Sequence, residues 1–281
     1  MNTYTMPKKL GIIAAIIALA AGLTAAIGFA HTANAEERNL VVFGDSIFAN
    51  PSIPEYMASH TVDRETTGGC GRQQDSIAVN LGASYGLVPY DYSCPGASIF
   101  SVGKKLTHEV SDALNAGALH PGTQEIVIQI GANDTYPNLV RGKDWSFIED
   151  NYRAGMLTEI QRMRDAAPNA RIRLVGYPSV SDDGVGTCLV RFPGNIHSME
   201  RSLGGPMIWW EKNLADMMWR TADAAGIQFI DTRSMTLGHG MCADDGQRYT
   251  GGWYDKGESI RLPVHLTDRG KNAVTDIIAA N

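Results

Sequence analysis

The stretch LVVFGDSIFAN, from Leu40 to Asn50, begins as an apolar run and changes abruptly at Gly44-Asp45-Ser46. Continuous apolar runs of this kind are typical of strands that are buried on both faces, as in a parallel sheet. Gly, Asp and Ser are also common turn residues, so the motif alone predicts either a simple turn or a nucleophile at the carboxyl edge of a sheet. The rest of the chain has to separate these two interpretations.

Four further apolar runs end in a similar polar switch: LVPYDYSCPG, EIVIQIGAND, RIRLVGYPS and IQFIDT. Helical patterns lie between several of them, one over residues 151–167 and another that is expected to begin at Pro206 and stop at Gly226. Strands that alternate with helices predict an α/β sandwich with a parallel sheet and helices on both faces. Three stretches rich in Gly, Pro, Ser and Asp are expected to be long surface loops: 51–71, 181–205 and 238–257.

The composition is that of a globular protein, since 44% of the 281 residues are hydrophobic and 19% are charged. The formal net charge is −6 and the chain has no run rich in Lys or Arg. Nucleic-acid binders usually carry a basic face or stripe, so we expect no nucleic-acid partner.

The N-terminus has the layout of a secretory signal peptide. Lys8 and Lys9 precede a long apolar run, and the small-x-small site Ala33-Asn34-Ala35 follows it. We therefore expect residues 1–35 to be removed after Ala35, which leaves a single secreted, extracytoplasmic domain over residues 36–281 with no membrane span. The alternative is a permanent anchor, because the apolar run is long enough to cross a bilayer.

Four cysteines follow the expected cleavage site, and an even count in an exported chain predicts two disulfides. Three pairings are possible, and we favour Cys70–Cys94 with Cys188–Cys242, because each would close a long, loop-rich stretch. A metal site is the other interpretation. It is disfavoured because no two cysteines are close in sequence and none has a histidine at ligand spacing.

Residues suited to acyl transfer stand where the apolar runs end. The first run ends at Ser46, the second leads to Gly96 and the third leads to Asn133, while His265 precedes a final helix. The ends of parallel strands share one sheet edge, so these residues are expected to converge. A histidine can take the proton of a serine hydroxyl at neutral pH, and preorganised donors to the oxyanion are each worth about 3 kcal/mol.

In four ordered blocks the chain resembles the SGNH (GDSL-type) hydrolases: Gly44-Asp45-Ser46, Gly96, Gly131-x-Asn133-Asp134 and His265. The resemblance spans nearly the whole mature chain. It implies a flavodoxin-like three-layer fold with a five-stranded parallel sheet and a metal-free serine hydrolase. It also implies that Ser46 is the nucleophile and His265 the base, with Ser46, Gly96 and Asn133 forming the oxyanion hole. The cysteine spacings are similar to those of secreted bacterial esterases and lipases of the family.

One position departs from the family pattern. The family places an aspartate three residues before the histidine, and this chain has Leu262 there. Either a backbone carbonyl, such as that of Leu262, accepts the Nδ1 proton and leaves a Ser-His dyad, or another carboxylate replaces the aspartate. We favour the dyad; the candidate carboxylates are Asp255, Glu258 and Asp268.

Several other residues have a structural interpretation. Asp45 is interpreted as a turn residue, and Asp134 as a residue that orders its loop through backbone N–H groups. His239 is the competitor of His265, because it also lies in a late loop. Three tryptophans at helical spacing are interpreted as packing residues rather than a substrate platform: Trp209, Trp210 and Trp219.

The sequence therefore predicts a secreted, monomeric serine hydrolase that cleaves carboxylic esters, an esterase or lipase, without a cofactor. Small polar loops favour acetyl or short acyl groups, and the sequence locates no apolar cleft for a lipid. Two alternatives stay open: an acyltransferase that uses the same site on envelope lipids or glycans, and an exported binding module without catalysis.

Overall fold

The computed structural model describes residues 37–61, 68–181, 186–198 and 201–281. The predicted signal peptide and its cleavage site lie outside these residues. No helix in the described ranges is long and apolar enough to cross a membrane. The described elements in chain order are β1 (Asn39–Gly44), α1 (Ser46–Ala49), α2 (Ile53–His60), α3 (Ile77–Tyr85), β2 (Val88–Asp91), α4 (Leu106–Asn115), β3 (Thr123–Gln129), α5 (Ala132–Val140), α6 (Trp145–Ala166), β4 (Arg171–Val175), β5 (Val190–Phe192), β6 (Ile196–His197), α7 (Arg201–Ala225), β7 (Gln228–Ile230), α8 (Thr232–Met235), β8 (Tyr254–Asp255) and α9 (Asp268–Ala280).

The main sheet has five strands in the order β2-β1-β3-β4-β7. Every neighbouring pair is parallel, and the five strands are the five apolar runs of the sequence. The predicted α/β class, the five-stranded parallel sheet and the flavodoxin-like order are therefore confirmed.

Two hydrophobic clusters cover the two faces of the sheet, which explains why the strands are apolar without alternation. In β1, Val41 and Phe43 belong to the cluster with α4, α6 and α7, whereas Leu40 and Val42 belong to the cluster with α3 and α9. All four side chains are fully buried. Burial on both faces fixes the register of β1 and hence the position of the polar residues at its end.

All three predicted loops contain regular structure. Residues 51–71 include α2, whose first turn is closed by a capping box: Glu55 N donates to Ser52 Oγ (3.3 Å), and Ser52 N donates to the Glu55 carboxylate (2.6 Å). Strands β5 and β6 lie within 181–205, and β5 pairs with β8 from the third predicted loop. A capping-box pattern is readable from sequence, whereas a sheet built from such short, distant segments is not.

Both long helices begin earlier than predicted. Helix α7 starts at Arg201, so Pro206 lies inside it rather than at its start, and α6 starts at Trp145 after an Asp144 cap. Pro206 is the sixth residue of α7, beyond the first N–H groups that lack an intrahelical acceptor, so it removes one backbone hydrogen bond from the second turn of the helix. The predicted stop of α7 is correct: Gly226 follows with a φ of 62°.

The structure pairs Cys70 with Cys94 and Cys188 with Cys242, as the sequence analysis favoured. The first disulfide ties the segment after β2 to the chain before α3. The second disulfide joins the chain just before β5 to the loop before β8. The first bridge lies at the carboxyl end of β1, where Cys94 N donates to Gly44 O at 2.8 Å.

Candidate active site

Ser46 is the first residue of α1, and one residue, Asp45, separates it from the end of β1. Asp45 caps this short helix, since its Oδ1 accepts a hydrogen bond from Ile47 N (3.0 Å). A side chain at Gly44 would meet the carbonyl oxygen of Gln129 at 2.9 Å and the Phe48 side chain at 3.1 Å, so only glycine fits there. The sharp strand-to-helix turn thus presents the Ser46 hydroxyl at the sheet edge.

Ser46 lies on the wall of a cavity of about 470 Å³ that also includes Asn133 and His265. This volume is within the range typical of small-molecule sites. Most of the wall is apolar, and one side of it is a face of α7. The α7 residues that line the cavity are Leu203, Pro206, Met207, Trp210, Glu211, Leu214 and Ala215. The apolar cleft that the sequence did not locate is therefore present beside Ser46.

The imidazole of His265 is held by a backbone carbonyl. Its Nδ1 lies 2.7 Å from the carbonyl oxygen of Pro263, which can only accept a hydrogen bond. Nδ1 therefore carries the proton in the neutral ring, and Nε2 keeps its lone pair. Nε2 is buried and has no hydrogen-bond partner among the described residues. Burial lowers the pKa of His265 below its ordinary value of 6.5, while the bond to Pro263 acts in the opposite direction.

The turn that brings Pro263 to His265 depends on Val264. Its φ is 60°, in the left-handed region that β-branched residues rarely adopt. Backbone hydrogen bonds to two glycines fix this loop: Val264 N donates to Gly252 O (3.0 Å), and Gly251 N donates to His265 O (3.0 Å). Such a strained conformation persists only where its surroundings hold it in place.

None of the three candidate carboxylates contacts His265. Asp255 binds the buried guanidinium of Arg248 through both oxygens, at 3.0 and 3.1 Å. Glu258 accepts a hydrogen bond from Gly246 N, and Asp268 lies 3.7 Å from Arg261. The carbonyl alternative is the one that the structure shows. The acceptor belongs to Pro263, however, and not to Leu262.

Asn133 lies in the first turn of α5, just beyond the end of β3. Its Nδ2 donates to Ala97 O at 2.9 Å and more weakly to Asp45 Oδ2 at 3.4 Å, and its Oδ1 accepts from Tyr136 OH at 3.0 Å. The bond from Tyr136 fixes the orientation of the amide. One Nδ2 hydrogen is therefore held firmly by Ala97 O, and the other makes only a weak hydrogen bond to Asp45.

Gly96 lies beside this group but not on the cavity wall. It has a φ of 79°, so a side chain would strain the backbone there. The loop that follows it is held by Asp134, whose carboxylate accepts from the backbone N–H groups of Ile99, Phe100 and Ser101 at 2.8–3.0 Å. The structure agrees with the interpretation of Asp134 as a loop-ordering residue.

Tyr177 was not singled out from the sequence, although it stands in the polar switch after β4. Its buried hydroxyl donates to Asp45 Oδ2 and accepts from Ala132 N at 3.0 Å. One side chain thereby links the ends of β1, β3 and β4. Burial raises the pKa of Asp45 to about 7, against the opposing effect of the Tyr177 hydrogen bond.

A buried ion pair closes part of the cavity wall. Arg233 Nε donates to the Glu211 carboxylate at 3.1 Å, and the same carboxylate accepts from Val180 N (3.0 Å) and Ser181 N (2.8 Å). Burial raises the pKa of Glu211 to about 6. These contacts fasten α7 to the chain after β4 and so fix the width of the cavity.

The other late histidine lies elsewhere. His239 stacks on Tyr249 with ring centres 4.1 Å apart, and its Nδ1 lies 2.7 Å from Gln247 O. It does not line the cavity. Of the tryptophans that were interpreted as packing residues, Trp210 lines the cavity, so that interpretation is incomplete. Trp209 and Trp219 are half exposed.

The sequence profile of the GDSL-like lipase/acylhydrolase family matches residues 42–273. The chain belongs to this family. Two solved structures share the fold of this GDSL-like hydrolase at 17% sequence identity. They are an extracellular lipase from Streptomyces rimosus (TM-score 0.60; 86% of this chain and 99% of that chain covered) and a phospholipase A1 from Streptomyces albidoflavus (TM-score 0.61; 87% and 99%). Among curated protein sequences, no relative matches.

Family membership confirms the resemblance inferred from the four sequence blocks. It also assigns acyl hydrolysis as the general reaction of this GDSL-like hydrolase. The geometry adds three features that the family match does not describe: the Pro263 carbonyl at His265, the Tyr177 link and the apolar wall of α7.

Proposed function

We propose that this chain is an exported carboxylic ester hydrolase that forms an acyl-enzyme on Ser46, with His265 as general base. One observation carries the proposal: Ser46 and His265 lie on the wall of the same apolar cavity, and His265 Nε2 has no hydrogen-bond partner in the described structure. Leaving a buried ring nitrogen without a hydrogen-bond partner is unfavourable, unless its lone pair accepts a hydrogen bond or a proton from the nucleophile or the substrate.

The protonation of His265 suits this role. Because its Nδ1 proton is bound to Pro263, the free Nε2 can take the proton of the Ser46 hydroxyl as Ser46 Oγ attacks the ester carbonyl carbon. The imidazolium then returns that proton to the leaving alkoxide, and a water repeats the sequence on the acyl-enzyme. The lowered pKa keeps His265 neutral and ready to act as a base at neutral pH.

Two donors for the oxyanion of the tetrahedral intermediate belong to residues of the cavity wall: Ser46 N at the N-terminus of α1 and Asn133 Nδ2. Gly96 N is the third donor that the family resemblance implies, although Gly96 itself does not line the cavity. The substrate oxyanion accepts the second Nδ2 hydrogen of Asn133, whose nitrogen lies 3.4 Å from Asp45 Oδ2 in the free protein. The bond to Ala97 holds the amide in place meanwhile, so little reorganisation is needed when the charge develops.

The cavity favours a medium or long acyl chain over acetyl. Its volume of about 470 Å³ and its apolar α7 wall replace the expectation of a short acyl group from the loop composition. The structural neighbours, an extracellular lipase and a phospholipase A1, have activities that agree with this choice. Each methylene that leaves water for the cavity is worth about 0.8 kcal/mol, or roughly fourfold in kcat/KM.

Export rests on the signal-peptide pattern of residues 1–35 and on the two disulfides. Disulfides form and persist in oxidising compartments, so the chain is suited to the extracytoplasmic environment.

The decisive test is hydrolysis of p-nitrophenyl esters from acetate to palmitate by the wild type, Ser46→Ala and the control Ser84→Ala, whose serine lies on the exposed side of α3. We expect activity in the wild type and the control, none in Ser46→Ala, and a rate that rises with chain length. Activity that survives Ser46→Ala would refute the proposed nucleophile. Fluorophosphonate labelling of Ser46 without hydrolysis would indicate transfer to another acceptor, and the absence of both would indicate a binding module.

A further inference from the structure

Exposed and partly exposed apolar side chains lie on the cavity wall and on the helices beside it. We define the apolar rim as Tyr136, Val140, Trp145, Leu203 and Trp209. Four of them are strongly exposed, Val140 at 87%, Tyr136 at 52%, Trp209 at 49% and Leu203 at 45% of their surface. Tyr136 and Leu203 also line the cavity itself. The rim is therefore continuous with the site where the acyl group is proposed to bind.

The rim consists of two pairs of neighbouring side chains and of Leu203. Tyr136 and Val140 are four residues apart on α5 and thus share a helix face. Trp145, at the start of α6, packs edge-on against Trp209 of α7, with ring centres 5.5 Å apart. Three helices thus contribute to the rim, whereas large apolar side chains on a soluble surface are usually scattered singly.

Two cations come after the most exposed rim residue in the chain. Arg141 is next to Val140 and Lys143 is three residues after it; both are exposed, and Lys143 Nζ lies 5.0 Å from the Phe147 ring centre. The neighbouring acid, Asp144, caps α6 by accepting from Phe147 N at 2.8 Å and keeps its negative charge, so the exposed segment 141–144 has a net charge of +1. A basic pair beside aromatic residues stands out in a chain with a net charge of −6.

The position of the rim beside the cavity indicates which kind of partner binds to it. A protein partner or a second copy bound here would close the mouth against substrate, because Tyr136 and Leu203 belong to both the rim and the cavity wall. A lipid surface would instead deliver acyl chains through the mouth. From this we infer that the apolar rim docks the enzyme on a phospholipid surface, with Trp209 and Val140 inserted among the lipids and Arg141 and Lys143 facing the phosphates. The role in substrate delivery rests on the proposed ester hydrolase activity.

The chemistry of the rim fits such an interface. Trp and Tyr combine a large apolar body with a polar tip, and they accumulate at membrane–water boundaries. Arg and Lys can bury their alkyl stems while their charges stay among headgroups. Val140, with 87% of its surface exposed in water, gains most from insertion.

The test is co-flotation with vesicles of phosphatidylcholine and a minor fraction of phosphatidylglycerol. It uses the chain from Glu36, which holds the whole sheet, both hydrophobic clusters and both disulfides. Ser46→Ala is the background for binding, so that lipids are not hydrolysed during the assay. There are two rim variants: the double variant Trp209→Ala with Val140→Ser, and the single variant Val140→Glu. The control is Trp219→Ala, which removes an equally exposed tryptophan about 15 Å further along α7.

We expect both rim variants to lower vesicle affinity by about tenfold or more, and Trp219→Ala to leave it unchanged. With Ser46 restored, the rim variants should hydrolyse soluble p-nitrophenyl butyrate at the wild-type rate but lose activity on vesicle lipid. Val140→Glu keeps the test valid if the double variant folds poorly, because a side chain this exposed supports no packing.

Three results would overturn the docking proposal. They are a wild type that does not bind vesicles, rim variants that bind as the wild type does, and a dimer in sedimentation that Val140→Glu dissociates. In each case hydrolysis of soluble ester still reports on the proposed function separately. Vesicle binding without any ester hydrolysis would refute the proposed function and leave docking supported.

Discussion

The carbonyl oxygen of Pro263 lies 2.7 Å from Nδ1 of His265, and a single residue, Val264, separates the two. A neutral carbonyl here fixes the tautomer of the imidazole and its orientation. It stabilises imidazolium less than a carboxylate would, because it carries no net charge. In this chain the conformation of one backbone residue therefore takes over the positioning task of an acidic side chain.

Val264→Gly tests this arrangement. Glycine adopts a φ of 60° without strain, so the variant should be at least as stable as the wild type despite its greater freedom in the unfolded state. The looser turn should hold His265 less firmly, and kcat should fall by about tenfold or more. Urea unfolding and steady-state kinetics on p-nitrophenyl octanoate measure the two effects. A lower stability with an unchanged kcat would show that the strained turn does not position the histidine.

The pH dependence of kcat/KM reports on His265. The base must be neutral, and burial lowers its pKa, so activity should fall on the acid side with an apparent pKa below 6.5. His265→Ala should lower kcat by about 10²- to 10⁴-fold. His239→Asn, outside the cavity, should keep both the rate and the profile. If His239→Asn instead removed the acidic limb, the assignment of the base would be wrong.

Asn133→Ala should lower kcat by about 10²- to 10³-fold with little change in KM, because its amide donor acts on the charge of the intermediate. The matched control is Asn138→Ala. Asn138 is also a buried asparagine on α5, and its Nδ2 donates to Asp134 O and Ser101 Oγ, away from the cavity wall. This control should lose stability in urea while keeping its kcat. A change in KM alone for Asn133→Ala would place the residue in binding rather than in charge stabilisation.

Ala215→Phe tests the cavity as the acyl site. Ala215 faces the cavity from α7, so a larger side chain there should shorten the preferred acyl chain and leave acetate hydrolysis intact. Ala224→Phe adds the same ring to an exposed position of the same helix and should leave the profile unchanged. The ester series from acetate to palmitate measures both. Identical profiles for the wild type and Ala215→Phe would show that the acyl chain binds elsewhere.

Asp45 should make stability depend on pH. Its pKa is about 7 in the folded protein and about 3.9 in an unfolded chain, so between these values the folded state binds one more proton. The stability from neutral Asp45 is fully present below about pH 4 and is lost as the pH rises to 7. Asp45→Asn cannot ionise, so its free energy of unfolding relative to wild type should rise by about 1.4 kcal/mol per pH unit across this window. Parallel urea-unfolding profiles from pH 4 to 8 would contradict this expectation.

The strands and the edge where they end could be predicted from the sequence because burial on both faces leaves an uninterrupted apolar run. The shared edge of a parallel sheet then brings Ser46 and Asn133 together without any knowledge of side-chain contacts. The beginning of α7 could not be predicted, because Gly204-Gly205-Pro206 has the composition of a helix break.

Parts of the site depend on tertiary contacts that leave no local signal. The acceptor for His265 is Pro263 rather than Leu262 because Val264 adopts a conformation that its own side chain disfavours. Tyr177 donates a hydrogen bond to Asp45, which is more than a hundred positions away in the sequence. The apolar run before Tyr177 predicts only the end of a strand. The apolar wall is equally unreadable, since an amphipathic helix pattern does not say whether its apolar face meets a core or a cavity.

The wall of the cavity that α7 supplies comes from one uninterrupted segment of the chain, and its lining residues between Leu203 and Ala215 repeat at helical spacing. Under the proposed function, a stretch of about a dozen residues therefore sets the size of the acyl chain, and it is separate in sequence from the serine, the histidine and the oxyanion donors. Under the same proposal, replacing this segment with the corresponding segment of another family member would change the acyl chain that the site accepts and would leave the reaction unchanged.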